Sequence, residues 1–333
     1  MSAVTHTPAS VGVMLPRDLP ADQVLTFARR AEDLGFDELW VVEDLGFRGG
    51  IAQASAVLAV TERITVGIGI LPAGARNAAF TAMELATLAQ LFPNRLVAGI
   101  GHGMPVWMRQ VGAWPKSPLT LLEEYTTAIR TLLRGEPGPG AGRYVDVAGV
   151  TLTEIPDVVP PILLGVRGPK SLAVAGRSAD GAILAEPSTP GYVAASLGIV
   201  GTAAPVGADI RITTYDVAAI DDEAEAAVAH ARPALAWFGE PDWAPHLVDL
   251  PFAAELARHR QGCSGPEEFA MTIPAEWVAE LSLAGTPDQV RDRIAARARA
   301  GATSIILTPV GADRLGQLRR FAEVRAGHGV AVP

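Results

Sequence analysis

At 333 residues, with 49% apolar and only 19% charged side chains, the chain carries enough hydrophobic material for a sizeable buried core. Its net charge of −9 speaks against a nucleic-acid partner, which would need a basic face, and requires any anionic ligand to be held by local cations or backbone N–H groups. The one cysteine, Cys263, excludes an internal disulfide framework and a Cys-rich metal site.

Short apolar, β-branched runs alternate with helical patterns along the whole chain. Val11–Leu15 reads as a strand, followed by an amphipathic helix over Ala21–Leu34 that stops at Gly35. Strand Leu39–Val42, helix Ile51–Val60, strand Ile64–Leu71, helix Thr81–Leu91 and strand Leu96–Ile100 follow. Helix Leu119–Leu133 ends at Gly135, and Gly/Pro-rich Glu136–Gly142 leads into a hairpin expected over Arg143–Thr153. The pattern resumes with strand Ile162–Val166, helix Pro169–Arg177, and strands Ala182–Ala185 and Ile210–Val217. Asp221–Arg299 is mostly helical, and Ser304–Thr308 and Asp313–Arg325 supply the last strand and helix. The start, Met1 to Ser10, lacks a basic segment, and no apolar run reaches the roughly 18 residues that span a bilayer. A cytoplasmic protein without a membrane partner is therefore expected.

Eight nearly continuous hydrophobic strands between helices predict a parallel sheet covered on both faces, closed as a (β/α)₈ TIM barrel. No Gly-rich turn follows the first strand, which runs into Leu15-Pro16-Arg17, so an open dinucleotide-binding sheet is disfavoured. The expected organisation is a single barrel over residues 1–333, with a helical insertion at about 221–285 between strands seven and eight. Its aromatic residues, among them Trp237, Trp243 and Trp277, would cover the barrel mouth or form a subunit contact.

In such a barrel the chemistry sits at the C-terminal ends of the strands. Strand two ends in Glu43-Asp44, two carboxylates that cannot both face the core. Strand three carries Gly67 and Gly69 around Ile68 and Ile70; glycines inside a buried strand mark either a close ligand approach or tight packing. Strand four exits through Gly101-His102-Gly103, which presents a histidine suited to proton transfer or ligand contact. No second histidine stands at ligand spacing, so no metal is expected there. Strand five exits through Gly165-Val166-Arg167-Gly168-Pro169-Lys170, where a helix N-terminus and two cations make the strongest phosphate candidate in the chain. Strand six ends in Glu186-Pro187, an exposed carboxylate at the mouth.

These segments carry a resemblance. Gly35-Phe36-Asp37-Glu38-Leu39-Trp40-Val41-Val42-Glu43-Asp44 is similar to the strand-two signature of bacterial luciferase-like oxidoreductases. The Gly165–Lys170 turn with Ala175–Gly181 resembles that family's phosphate-binding strand, helix and strand, and Gly285–Val290 resembles the helix start before its last strand. The turn at Gly165–Lys170 and the Gly101-His102-Gly103 exit are closest to the branch that uses the deazaflavin coenzyme F420, of the methylene-tetrahydromethanopterin reductase type. The resemblance implies an F420-dependent oxidoreductase that moves a hydride between reduced deazaflavin and a small organic substrate, with reduction of a C=C or C=N bond. The alternative is an FMN-dependent monooxygenase fed by a separate reductase.

By the same resemblance, Gly69–Ile70 would be a non-proline cis peptide backing the middle ring of the cofactor. Val166, Arg167 and Gly168, within the Gly165–Lys170 turn that includes Pro169, would hold its phosphate. Asp44 and His102, with Gly103, would contact the ring or ribityl chain, and Glu186 would face the same mouth. The proton candidates are Asp44, His102, Glu43 and Glu186. Many relatives end strand two in Asp-His; Glu43 and Asp44 stand there here, so the base used by sugar-phosphate dehydrogenase relatives is missing. A homodimer is the expected assembly.

Overall fold

The computed structural model describes residues 9–325. In chain order the elements begin β1 (Ser10–Met14), α1 (Val24–Asp33), β2 (Glu38–Val41), α2 (Gly50–Val60), β3 (Thr65–Pro72) and α3 (Ala78–Leu91). They continue with β4 (Leu96–Gly101), α4 (Pro105–Gln110), α5 (Pro118–Leu133), β5 (Ile162–Gly165), α6 (Pro169–Ser178), β6 (Gly181–Leu184) and α7 (Pro190–Ala203). After β7 (Arg211–Ile220) come five helices: α8 (Ala224–Ala231), α9 (Ala244–Leu247), α10 (Ala253–Gly262), α11 (Pro266–Thr272) and α12 (Ala275–Leu281). Then β8 (Leu283–Gly285), α13 (Pro287–Arg299), β9 (Ser304–Pro309) and α14 (Arg314–Arg325) complete the described chain.

Every strand pairing is parallel. β1 to β6 pair in sequence, β6 pairs β7, β7 pairs β9, and β9 returns to β1, so eight strands close a barrel. β8 is a short addition that pairs with the end of β7 at Ala218–Ile220 and stands outside the ring. The strands read as apolar runs because both faces are buried. Val13, Leu39, Val66, Ala98, Ile162, Leu184 and Ile305 pack outward under the helices, whereas Met14, Trp40, Val97, Leu163, Ile183, Tyr215 and Ile306 fill the interior. A third cluster, with Phe238, Leu256, Phe269, Val278 and Leu281, sits among the helices between β7 and β8 and is joined to the barrel through Val217 and Ala219.

The hairpin expected over Arg143–Thr153 does not form; that stretch has no strand. The backbone N–H groups of Arg143, Tyr144 and Val145 donate instead to the Glu124 carboxylate on α5, at 2.8, 2.8 and 3.1 Å. A carboxylate accepting three N–H groups competes directly with a cross-strand ladder for the same donors.

The interior glycines answer the question the sequence leaves open at β3. A Cβ at Gly67 would overlap the Trp40 indole, and one at Gly69 would overlap the Tyr215 hydroxyl. Both glycines therefore make room for large aromatic side chains from β2 and β7, whose rings meet edge-on at 5.7 Å. Trp40 Nε1 donates to Glu38 Oε2 at 2.6 Å, which satisfies a polar atom deep in the barrel.

Candidate functional site at the barrel mouth

The C-terminal ends of the strands bring Val42, Asp44, Gly69, Ile70, His102, Gly103, Arg167 and Glu186 to one end of the barrel. Its floor is apolar: Val42 and Ile70 pack on the interior cluster from above. The Gly69–Ile70 peptide is cis, and the pairing of β3 with β4 is irregular between Ile68 and Leu71. The Ile70 side chain lies against Gly99, Gly101 and Gly165, where any Cβ would fall within 3.1 Å of it. Glycines on β4 and β5 thus let the floor residue cross the barrel axis.

The two carboxylates after β2 divide their work. Glu43 receives Arg76 through both oxygens at 2.9 and 3.0 Å, and its Oε2 also accepts the Gly50 N–H at 2.7 Å. The pair ties the β2 exit to the β3 exit and to the start of α2, and the Glu43 carboxylate pulls the Arg76 guanidinium upward in pKa. Asp44 stands nearer the rim and pairs with half-exposed Arg17 at 2.6 Å. Neither partner is adjacent in sequence, so neither pairing was visible there.

His102 is partly buried on the β4 exit, beside Met108 and Trp114 from the following segment. Burial pushes its imidazole below the usual histidine range. Gly103 takes a positive φ of 70°, which turns the chain away into α4.

At the β5 exit, the N–H groups of Arg167, Gly168, Lys170 and Ser171 have no acceptor among the described residues. A Cβ built on Gly168 would meet nothing within 4 Å, so the turn faces open space. Pro169 occupies the first turn of α6, where its missing N–H costs no hydrogen bond, and exposed Lys170 follows it. The Arg167 guanidinium lies over the Trp243 ring at 4.5 Å, and burial lowers its pKa. Free donors at a helix start, a guanidinium and an apolar floor fit a flat ligand bearing an anionic group.

Glu186, expected exposed, is partly buried. The cover comes from the helices after β7: Trp243 Nε1 donates to the Glu186 carbonyl at 3.2 Å, and His246 Nδ1 donates to the Pro187 carbonyl at 3.1 Å. Tyr192, on α7, stacks against His246 with ring centres 4.3 Å apart and donates to the Arg167 carbonyl at 2.9 Å. Trp243, His246 and Tyr192 thus brace both the phosphate-type turn and the Glu186 loop. Sequence reading placed Trp243 only as a general cover residue and missed the other two. Tyr215 was missed as well: its hydroxyl is buried under Gly69 with no hydrogen-bond partner.

Comparison with known proteins adds a second line. The family model described as luciferase-like monooxygenase matches residues 1–304. A 5,10-methylenetetrahydromethanopterin reductase of Methanolobus tindarius is 27% identical over 312 residues, covering 89% of this chain and 94% of the relative. An F420-dependent glucose-6-phosphate dehydrogenase of Beutenbergia cavernae is 29% identical over 334 residues, covering 95% of this chain and 94% of the relative. The solved structure of a coenzyme F420-dependent tetrahydromethanopterin reductase from Methanopyrus kandleri superposes with a TM-score of 0.80 at 21% identity, over 95% of this chain and 98% of that one.

Proposed function

Because the chain belongs to the luciferase-like monooxygenase family, we propose that it is a coenzyme F420-dependent oxidoreductase that reduces a C=C or C=N bond of a small organic substrate. The observation that carries this is the meeting, at one end of the barrel, of an apolar floor and a row of free N–H donors beside Arg167. The methylenetetrahydromethanopterin reductase and the F420-dependent glucose-6-phosphate dehydrogenase described above align over 89% and 95% of the chain, which supports the same cofactor.

When bound, the deazaflavin supplies hydride. In the turn from Gly165 through Pro169 to Lys170, the free N–H groups of Arg167, Gly168, Lys170 and Ser171 and the Arg167 charge would hold the phosphate. Val166, expected to share in this, has its N–H taken by the Ile183 carbonyl at 3.3 Å and only shapes the turn. Gly69 and Ile70 back the ring, and Ile70 with Val42 keeps water from that face. Asp44, His102 and Gly103 line the side of the pocket toward the ring and its chain. Glu43, locked to Arg76, positions the β2 exit. Fluorescence titration with F420 and with FMN tests the cofactor assignment: F420 binding is expected to be the tighter, and preferential FMN binding would point to the flavin monooxygenase instead.

We also read the outer face of α2 and α3 as a homodimer surface. α2 has no charged residue, and α3 has only Glu84. Phe80, Met83 and Leu91 stand 64%, 47% and 66% exposed on α3, and the small residues Ala52, Ala56 and Ala59 are exposed on α2, the preceding helix. Successive helices that expose large side chains on one and small ones on the other can pair with a second copy about a two-fold axis. The double change Phe80→Glu, Met83→Glu is expected to convert a dimer to a monomer in light scattering, and an unchanged mass would reject this face.

A further inference from the structure

Reduction of a double bond needs a proton as well as a hydride, and four titratable side chains stand at the strand ends as candidates. Glu43 is committed: both its oxygens are held by Arg76, and one also by the Gly50 N–H. Asp44 is paired with Arg17 toward solvent. His102 is pushed down by burial, so at neutral pH its ring is neutral and a weak acid. Among the described residues neither His102 nor Glu186 forms an ion pair, and of the three carboxylates Glu186 is the one whose carboxyl makes no hydrogen bond to another residue.

Its main chain is nonetheless tightly held. Trp243 donates to the Glu186 carbonyl and His246 to the Pro187 carbonyl, while the Ser188 hydroxyl donates toward Leu184 and Tyr215 carbonyls at 3.1 and 3.3 Å. A fixed backbone with an uncommitted carboxyl is the arrangement that general acid catalysis needs.

Resting on the F420-dependent reading above, we propose that Glu186 is the proton donor of this site. The substrate carbon receives hydride, with its two electrons, from the reduced cofactor, and the π bond breaks. The adjacent nitrogen or carbon takes the Glu186 proton. The products are the oxidised cofactor, a substrate reduced by two electrons, and a Glu186 carboxylate that regains its proton from water.

The surroundings favour the acid form. Burial is the largest influence on the Glu186 carboxyl and pushes it up from the ordinary range. Arg167 from the β5 exit pulls it down, while Asp216 on β7 and Asp44 from the β2 exit push it up. Tyr215 shares the same buried region and is itself raised, with Glu186 among the causes.

The test uses the F420-loaded protein and its E186Q variant. Infrared difference spectra near neutral pH should show a protonated-carboxyl band that E186Q lacks; absence of that band from the unaltered protein overturns the proposal without any substrate. With 5,10-methylenetetrahydromethanopterin and a panel of imines and enones as probes, E186Q should hold F420 as tightly as the unaltered protein. It should lose on the order of 10²-fold or more in kcat, and the alkaline fall in kcat/KM should vanish. E186D should recover part of the loss. Unchanged turnover in E186Q, or an equal loss in H102Q with none in E186Q, overturns the proposal while leaving the cofactor reading intact. No F420 binding at all, or no cofactor oxidation with any probe, overturns both.

Discussion

Replacing Arg297 with Met is expected to destabilise the protein by about 3–5 kcal/mol, the usual cost of breaking a buried ion pair from one side. Arg297 on α13 and Asp216 on β7 are each only 1% exposed, with Nε and Oδ1 2.8 Å apart. Thr214 donates to the other carboxylate oxygen at 2.9 Å, and Arg297 also reaches the Arg293 carbonyl at 3.2 Å. Without the guanidinium, Asp216 either stays charged with no partner or takes up a proton in an apolar setting, and both outcomes cost free energy. The double variant Arg297→Met, Asp216→Leu removes the stranded charge and is expected to recover most of the loss. Urea unfolding of the two variants measures this; equal stability of the single and double variants would contradict it. The consequence reaches the mouth, because Asp216 is the neighbour of Tyr215, whose hydroxyl lies under Gly69.

The second large effect is an acid limb set by His246. Burial, then the nearby Arg167 charge, pushes its imidazole down to about 3, against a smaller upward pull from the Pro187 carbonyl. The ring is 2% exposed, donates through Nδ1, and has no partner at Nε2. Above the unfolded-chain value of about 6.5 both states are neutral and the group adds no pH dependence. As pH falls from there toward 3, the unfolded chain takes up a proton that the folded protein refuses, so stability drops. By about pH 4 the loss amounts to roughly 3 kcal/mol. His246→Phe keeps the stack on Tyr192 and removes the titration. It should be somewhat less stable at pH 7, for want of one hydrogen bond, yet fall less steeply between about pH 6 and 4. Parallel acid limbs for the two proteins in chemical denaturation would contradict the assignment.

Much of the architecture was legible because it depends on local pattern. A strand covered on both faces tends to be apolar along its length, and most of the barrel strands show that; β7, with Thr213, Thr214 and Asp216 buried, departs from it. The stretches that escaped are those where local pattern and tertiary demand diverge. β8 is three residues long and pairs only with the end of β7. α7, Pro190–Ala203, is apolar on most sides and carries three glycines, so no helical period stands out. The stretch at Arg143–Thr153 has hairpin-like residues, but Glu124, about twenty positions earlier, takes their N–H groups.

The site divides the same way. The turn at Gly165–Lys170 was readable because a glycine, a proline and two cations after a strand have few other uses. The state of each carboxylate was not, because it is set by partners far along the chain. Arg76 lies 33 residues from Glu43 and Arg17 lies 27 from Asp44, while the Glu186 main chain is held by Trp243, 57 residues on. Gly67 and Gly69 looked alike in sequence; only the positions of Trp40 and Tyr215 show what each accommodates. The cis geometry of Gly69–Ile70 came from the family resemblance and from no property of the two residues.

The central claim, that this mouth is built for a deazaflavin, is tested most directly by titrating the purified protein with F420 and, separately, with FMN, following cofactor fluorescence. The expected result is saturable F420 binding at least about tenfold tighter than FMN, a difference of about 1.4 kcal/mol, and weakened by Arg167→Ala. FMN binding as tight as F420 or tighter, or no saturable F420 binding, would contradict it.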